Sequence, residues 1–118
     1  MPNVANKFDE GKLRMDLIPP EAVTGLARAL SHGAVVHGDR NWELGMDWSR
    51  PFASAQRHLW AFWGGDDWDE SQFPKDRSIH HLECALAEIA FLLTYYMRDI
   101  GRDNRPNPTF MTCENMNF

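Results

Sequence analysis

The sequence predicts a small all-α domain of about three main helices, with an extended N-terminal arm and an irregular C-terminal tail. Three observations carry this. Apolar residues recur at 3/4 spacing in three separate stretches, and glycine or proline punctuates the ends of those stretches. A chain of 118 residues, 43% apolar and 25% charged, has the composition of one ordinary globular domain. The expected division of the single domain 1–118 is an arm over 1–19, a helical core over 20–100 and a tail over 101–118.

The arm reads KFDEGKLRMDLIP and places Lys7, Lys12 and Arg14 around Gly11, with no helical period. A first helix begins at Pro20-Glu21, because proline suits the first turn and an acid there complements the helix dipole. Val23, Leu26, Ala27, Leu30 and Ala34 form its apolar face, and Gly33 and Gly38 weaken or end it. The stretch 39–48, DRNWELGMDW, has no sustained period and reads as a loop. Ser49, two residues before Pro51, is the expected cap of a second helix. Phe52, Ala55, Leu59, Phe62 and Trp63 make its stripe, and Gly64-Gly65 stops it. At about 100° per residue His58 lies roughly 40° from Phe62, at the border of that stripe. The loop DDWDESQFPKDR follows, and Ser78 is the expected cap of a third helix running to about Ile100. That helix is apolar nearly all round, as suits a central element. His81, Cys84, Ala85, Glu88, Leu92 and Tyr95 share one of its faces. Residues 101–118 carry no period, and would be ordered only if Phe110, Met111 and Phe118 dock.

Charge and composition narrow the function classes. Twelve Lys and Arg against seventeen Asp and Glu leave a net charge of −5, which opposes broad contact with polymeric nucleic acid or an anionic membrane. The stretch 84–97 is interrupted by Glu88 and is too short to span a bilayer. The N-terminus lacks the apolar core of a secretory signal, so a cytoplasmic location is expected. Cys84 and Cys113 form no CxxC, and reduced thiols are the default. The five tryptophans, Trp42, Trp48, Trp60, Trp63 and Trp68, are many for so small a domain. Some of them should line a pocket or a subunit contact. A homo-oligomer is expected as well, since three helices can scarcely bury so apolar a third helix.

Phosphate-loop, dinucleotide-binding, HExxH, GxSxG, His-Asp and ExxE signatures are all absent. Present instead is a constellation of His58, Asp66, Asp67, Asp69, His81 and Glu88, arranged as helix end, acidic loop and next helix. If the second and third helices pack antiparallel, the loop lies over the end of the pair and these groups converge. Mixed imidazole and carboxylate ligands suit Mn²⁺, Co²⁺, Fe²⁺ or Zn²⁺ better than Mg²⁺ alone. The plainer reading is a solvated acidic loop and a border histidine. Glu88 stands among apolar neighbours, where it needs a cation, a metal or a donor; an ion pair with Arg57 or Arg98 serves as well as catalysis. Lys7, Lys12 and Arg14 can grip phosphates or merely solubilise the arm. Asn41, Trp42 and Trp48 can clamp a base, although core packing is the commoner role of a tryptophan.

The strings KFDEGKLRMDLIPPEA, GAVVHGDRNWELGMDWSR, RHLWAFWGGDD and HHLECALAEIAFLL together resemble a small, largely phage-encoded helical family, the dATP/dGTP diphosphohydrolase N-terminal domain family. The resemblance covers about residues 7–96. It implies a metal-dependent hydrolase that cleaves purine deoxynucleoside triphosphates to the monophosphate and pyrophosphate, in the host cytoplasm if phage-encoded. The matching positions are Lys7, Gly11, Lys12, Arg14, Asp16, Asn41, Trp42, Trp48, Ser49, Arg57, His58, Asp67, Asp69 and His81. The chain departs from the family pattern at His37, at Gly65-Asp66-Asp67, in a stretched segment 71–78, and at Cys84, where a second histidine is expected.

On the residues and the resemblance together, His58, Asp67, Asp69 and His81 would hold a divalent metal, Mn²⁺, Co²⁺ or Mg²⁺. Asp66 or Glu88 would orient the attacking water. Lys12, Arg14 and Arg57 would stabilise charge on the phosphates, with Lys7, Asn41, Trp42 and Trp48 completing the purine-nucleotide site. The alternative is a non-catalytic phage protein that binds or sequesters a nucleotide.

Overall fold

The computed structural model describes residues 4–70 and 78–106. Three helices dominate it: α1 (Pro20–His37), α2 (Ser49–Trp63) and α3 (His81–Arg98). Two 3₁₀ turns, Met15–Leu17 and Asn41–Leu44, precede α1 and α2. A two-residue ribbon, β1 (Trp68–Asp69) antiparallel to β2 (Ile79–His80), stands between α2 and α3. The domain is helical as expected, with this ribbon as the addition.

The punctuation of α1 acts as the sequence implies. Pro20 occupies the first helical position and Glu21 the first turn, while Gly38 ends the helix at φ +95°, a left-handed conformation that glycine adopts freely. Gly25, the buried residue of α1, lets α3 come close: a Cβ there would stand 3.1 Å from Glu83 Oε2. Arg28 fastens the crossing, with Nε and Nη2 2.9 and 2.8 Å from the same carboxylate oxygen.

α2 departs from expectation in its start and in its phase. Ser49 is the first helical residue and caps nothing; its amide and hydroxyl are held by the Asn104 side chain at 3.0 and 2.8 Å. The face turned to α3 carries Pro51, Ala55, His58 and Phe62, whereas Phe52, Leu59 and Trp63 of the expected stripe are exposed. Both sides of α2 are apolar enough to have served.

α3 begins two residues later than a cap at Ser78 would set it. Pairing of Asp69 with Ile79 and of Trp68 with His80 keeps 79–80 extended. His80 then caps the helix: its Nδ1 accepts from Leu82 N–H, and Glu83 Oε1 accepts from His80 N–H at 3.1 Å. Both α1 and α2 pack on α3, and neither packs comparably on the other. Of the face shared by His81, Cys84, Ala85, Glu88, Leu92 and Tyr95, the residues His81, Ala85 and Tyr95 are buried and the others half-buried.

The loop 39–48 is bound to α3 and to the start of the tail. Trp42 stacks on Phe91 with centroids 4.6 Å apart, and its carbonyl accepts from the Tyr95 hydroxyl. Trp48 is buried, and its Nε1–H donates to Ile100 O at 2.8 Å. Asp47 forms a parallel bridge with Arg102, reinforced by side-chain contacts of 3.0 and 3.1 Å. Irregular as expected, residues 101–106 are nevertheless anchored; Phe110, Met111 and Phe118 lie outside the described residues. Residues 4–19 are exposed throughout. The arm is irregular, with a turn closed by Lys12 N–H on Asp9 O at 2.9 Å ahead of its 3₁₀ turn.

Candidate metal centre

The centre forms where the last turns of α2 meet the first turn of α3, with the ribbon over both. Helix geometry supplies His58 from α2 and His81 from the first position of α3. Their Nδ1 atoms are 2.8 Å apart, and His81 Nε2 stands 3.3 Å from Asp66 Oδ2. The His81 amide donates to Asp67 O at 2.9 Å, which holds the acidic loop against the helix start. Alternation in β1 exposes Trp68 and buries Asp69, only 8% exposed. Asp69 is thereby delivered to His58 and to Cys84, one helical turn beyond His81. A ring nitrogen of His58, a carboxylate oxygen of Asp69 and Cys84 Sγ all lie within 4.8 Å of one another.

One set of protons satisfies the imidazole contacts. With His81 Nε2–H donating to the Asp66 carboxylate, His81 Nδ1 carries a lone pair and accepts from His58 Nδ1–H. In that arrangement Nε2 is the His58 nitrogen left to face an ion. Burial pushes the His58 pKa below its ordinary value, helped by His81 and Arg57 and opposed by Asp69. The Cys84 thiol is pushed up to about 12 by burial and then by Asp69, Glu83 and Glu88. Burial also raises Glu88, against the Ser54 hydrogen bond and Arg57.

These donors fit a divalent ion. A four-coordinate ion with bonds of about 2.0–2.3 Å holds its ligand atoms about 3.3–3.8 Å apart, so the observed spread closes with small side-chain rotations. The ligand types are those of borderline transition metals. Beside them opens a recess of about 550 Å³ lined by Gly65, Asp66, Asp67, Trp68, Asp69, Glu70 and His81.

Of the residues singled out from sequence, His58, Asp66, Asp69 and His81 come together. Asp67 contributes its backbone carbonyl, with an exposed side chain outside the three-residue donor group. Glu88 accepts from Ser54 Oγ at 3.2 Å. The ion pair considered for it with Arg57 or Arg98 does not form among the described residues: Arg98 faces Glu43 at 3.6 Å, and Arg57 is exposed beside His58. Lys7, Lys12, Arg14 and Asn41 are exposed. Arg14 is tied to Asp16 through contacts of 2.8 and 2.7 Å, beside a second recess of about 620 Å³ formed by the arm alone. Trp42 and Trp48 form no base clamp here, because Phe91 covers the one and the other is buried. Cys84 is the member that sequence reasoning did not place in the donor set; its signal was its position one turn beyond His81 on the same face.

The chain matches the family described as "dATP/dGTP diphosphohydrolase, N-terminal" over residues 2–105, and it belongs to that family. A protein of Salmonella phage PMBT28 named "dATP/dGTP diphosphohydrolase" is 29% identical to it over 86 residues, 73% of this chain. The matched stretch is 28% of that relative's own length. No solved structure matches significantly. Among the described residues no helix is long and apolar enough to cross a membrane.

Proposed function

We propose that this member of the family is a metal-dependent hydrolase that cleaves purine deoxynucleoside triphosphates, dATP or dGTP, to the monophosphate and pyrophosphate. The observation that carries the reading is the group of His58, Asp69 and Cys84 beside an acidic recess, in a chain whose relative bears the diphosphohydrolase name. A recess lined by Asp66, Asp67, Asp69 and Glu70 repels a triphosphate unless cations neutralise it. Mn²⁺, Co²⁺ or Mg²⁺ would supply that charge when bound, together with the Lewis acidity that phosphoryl hydrolysis draws on.

The chain's own residues do the remaining work. Asp69 and His58 would hold the ion, with Asp67 and His81 closing the set or supporting it. Asp66, at the open mouth, accepts a hydrogen bond from the attacking water while its other contact orients His81. Glu88, set back against Ser54, keeps a carboxyl next to the donor group. Arg57 faces the phosphates from α2. Because Lys7, Lys12 and Arg14 project on the exposed arm, we assign their phosphate contacts to a homo-oligomer in which one copy's arm reaches the next copy's recess.

A second reading, binding or sequestration of a nucleotide without turnover, is favoured by one observation. The named relative extends far beyond the matched stretch, and its activity need not reside there. Incubation of the purified chain with dATP and dGTP in Mn²⁺ or Co²⁺ separates the two. Metal-dependent pyrophosphate release that is lost on Asp69→Asn supports hydrolysis. Nucleotide binding with no pyrophosphate under any metal overturns it in favour of sequestration.

A further inference from the structure

We propose that Cys84 is a metal ligand through its thiolate, making this a mixed imidazole, carboxylate and thiolate centre that takes Zn²⁺ or Co²⁺ in preference to Mg²⁺. The inference rests on the metal-binding part of the reading above and not on the identity of the substrate.

Position is the first ground. Cys84 follows His81 by three residues on α3, so both project toward α2 and the ribbon. There the sulfur shares a 4.8 Å sphere with the buried Asp69 carboxylate and a His58 nitrogen. The second ground is competition within the cluster. The two histidine Nδ1 atoms, 2.8 Å apart, share a proton and stand closer than two ligands of one tetrahedral ion would. His81 therefore backs His58, as a carboxylate or carbonyl backs a metal-bound imidazole elsewhere, and the third donor comes from Cys84. Ligand softness is the third ground. A thiolate gains little from Mg²⁺, which demands an octahedral oxygen shell, and much from Zn²⁺ or Co²⁺. On binding, the S–H bond breaks heterolytically, the sulfur keeps the electron pair for the ion, and the proton leaves to solvent; nothing is oxidised or reduced.

Titration of the reduced, metal-free full-length chain with Co²⁺ tests this. Thiolate-to-cobalt charge-transfer absorption in the near ultraviolet should rise to one equivalent, together with the intense visible bands of a four-coordinate ion. Cys84→Ser, which changes one atom and should keep the helical circular dichroism, should abolish the charge-transfer band. Loss of a supporting residue costs about 10–100-fold in metal affinity, so loss of a ligand should weaken Zn²⁺ by about a hundredfold or more. Cys113→Ser should keep the band. A band that survives Cys84→Ser, or vanishes instead in Cys113→Ser, overturns the proposal. So does unchanged Zn²⁺ affinity in a folded Cys84→Ser chain. A cobalt–thiolate band without pyrophosphate release would leave this centre standing and remove the hydrolase reading; pyrophosphate release with no band in the parent chain would do the reverse.

Discussion

The junction of α2 with α3 and the outer surface of the same helices invert the usual partition of residues. At the junction, Asp69 and His81 are 8% and 7% exposed, although such groups are rarely buried without a partner. On the outside, Trp63 is 80% exposed, Trp60 67% and Leu93 62%, and in the arm Phe8 and Leu13 exceed 80%. Within one copy the polar donors are gathered and buried, while much apolar side-chain surface stays open. α3 shows both behaviours: His81, Ala85 and Tyr95 point inward, while Leu82, Ile89, Leu93 and Met97 repeat along the open side. Open apolar stripes of that kind are candidate contact surfaces, and the proposed homo-oligomer would set a second copy of the chain against this one.

The largest expected effect falls on that outer stripe. Burying each large aliphatic side chain contributes about 1.5–3 kcal/mol, so Ile89→Glu with Leu93→Glu should weaken self-association more than a hundredfold. Sedimentation should show an oligomer become a monomer while helical content is kept. A parent chain that sediments as a monomer at micromolar concentration would break the contrast from this side.

A smaller effect is expected at the junction. His81→Phe keeps a ring of similar size but has no nitrogen to accept from His58 or to donate to Asp66. Zn²⁺ affinity should fall about 10–100-fold with the melting temperature nearly unchanged; unaltered affinity would deny His81 its supporting role.

The smallest concerns Glu88. Burial raises its folded pKa above the ordinary 4.5, so folding favours the protonated form and the ionised form is disfavoured at neutral pH. Glu88→Gln should therefore raise the melting temperature by a few degrees at pH 7. The gain should shrink as pH falls through the folded pKa and vanish below 4.5, where the native carboxyl is protonated in both states. A gain constant with pH would assign the effect to packing instead.

Much of this arrangement is legible in the residues. Pro20, Gly38 and Gly64-Gly65 mark helix ends by backbone chemistry that needs no tertiary partner. The convergence of His58, Asp66 and His81 follows from two antiparallel helices and the loop between them. What stays hidden depends on distant contacts. The ribbon overrides Ser78 as a cap, and Asn104, fifty-five residues away, engages Ser49 instead. α2 is apolar on both sides, so periodicity alone does not choose its buried face. Among the acids, strand alternation in the ribbon turns Asp69 inward, while Asp67 lends only its carbonyl. Cys84, a departure where the family pattern has histidine, reads as a lost ligand until the fold sets its sulfur beside Asp69 and His58.

Anomalous scattering from crystals of the full chain grown with Zn²⁺, recorded on both sides of the zinc edge, tests the metal centre most directly. A single strong peak is expected between α2, α3 and the ribbon, about 2.3 Å from Cys84 Sγ and about 2.0–2.2 Å from His58 and Asp69, with His81 bonded to His58 and Asp66 rather than to the ion. No peak at that junction, or a peak held by His81 and Asp67 with Cys84 turned away, would contradict it.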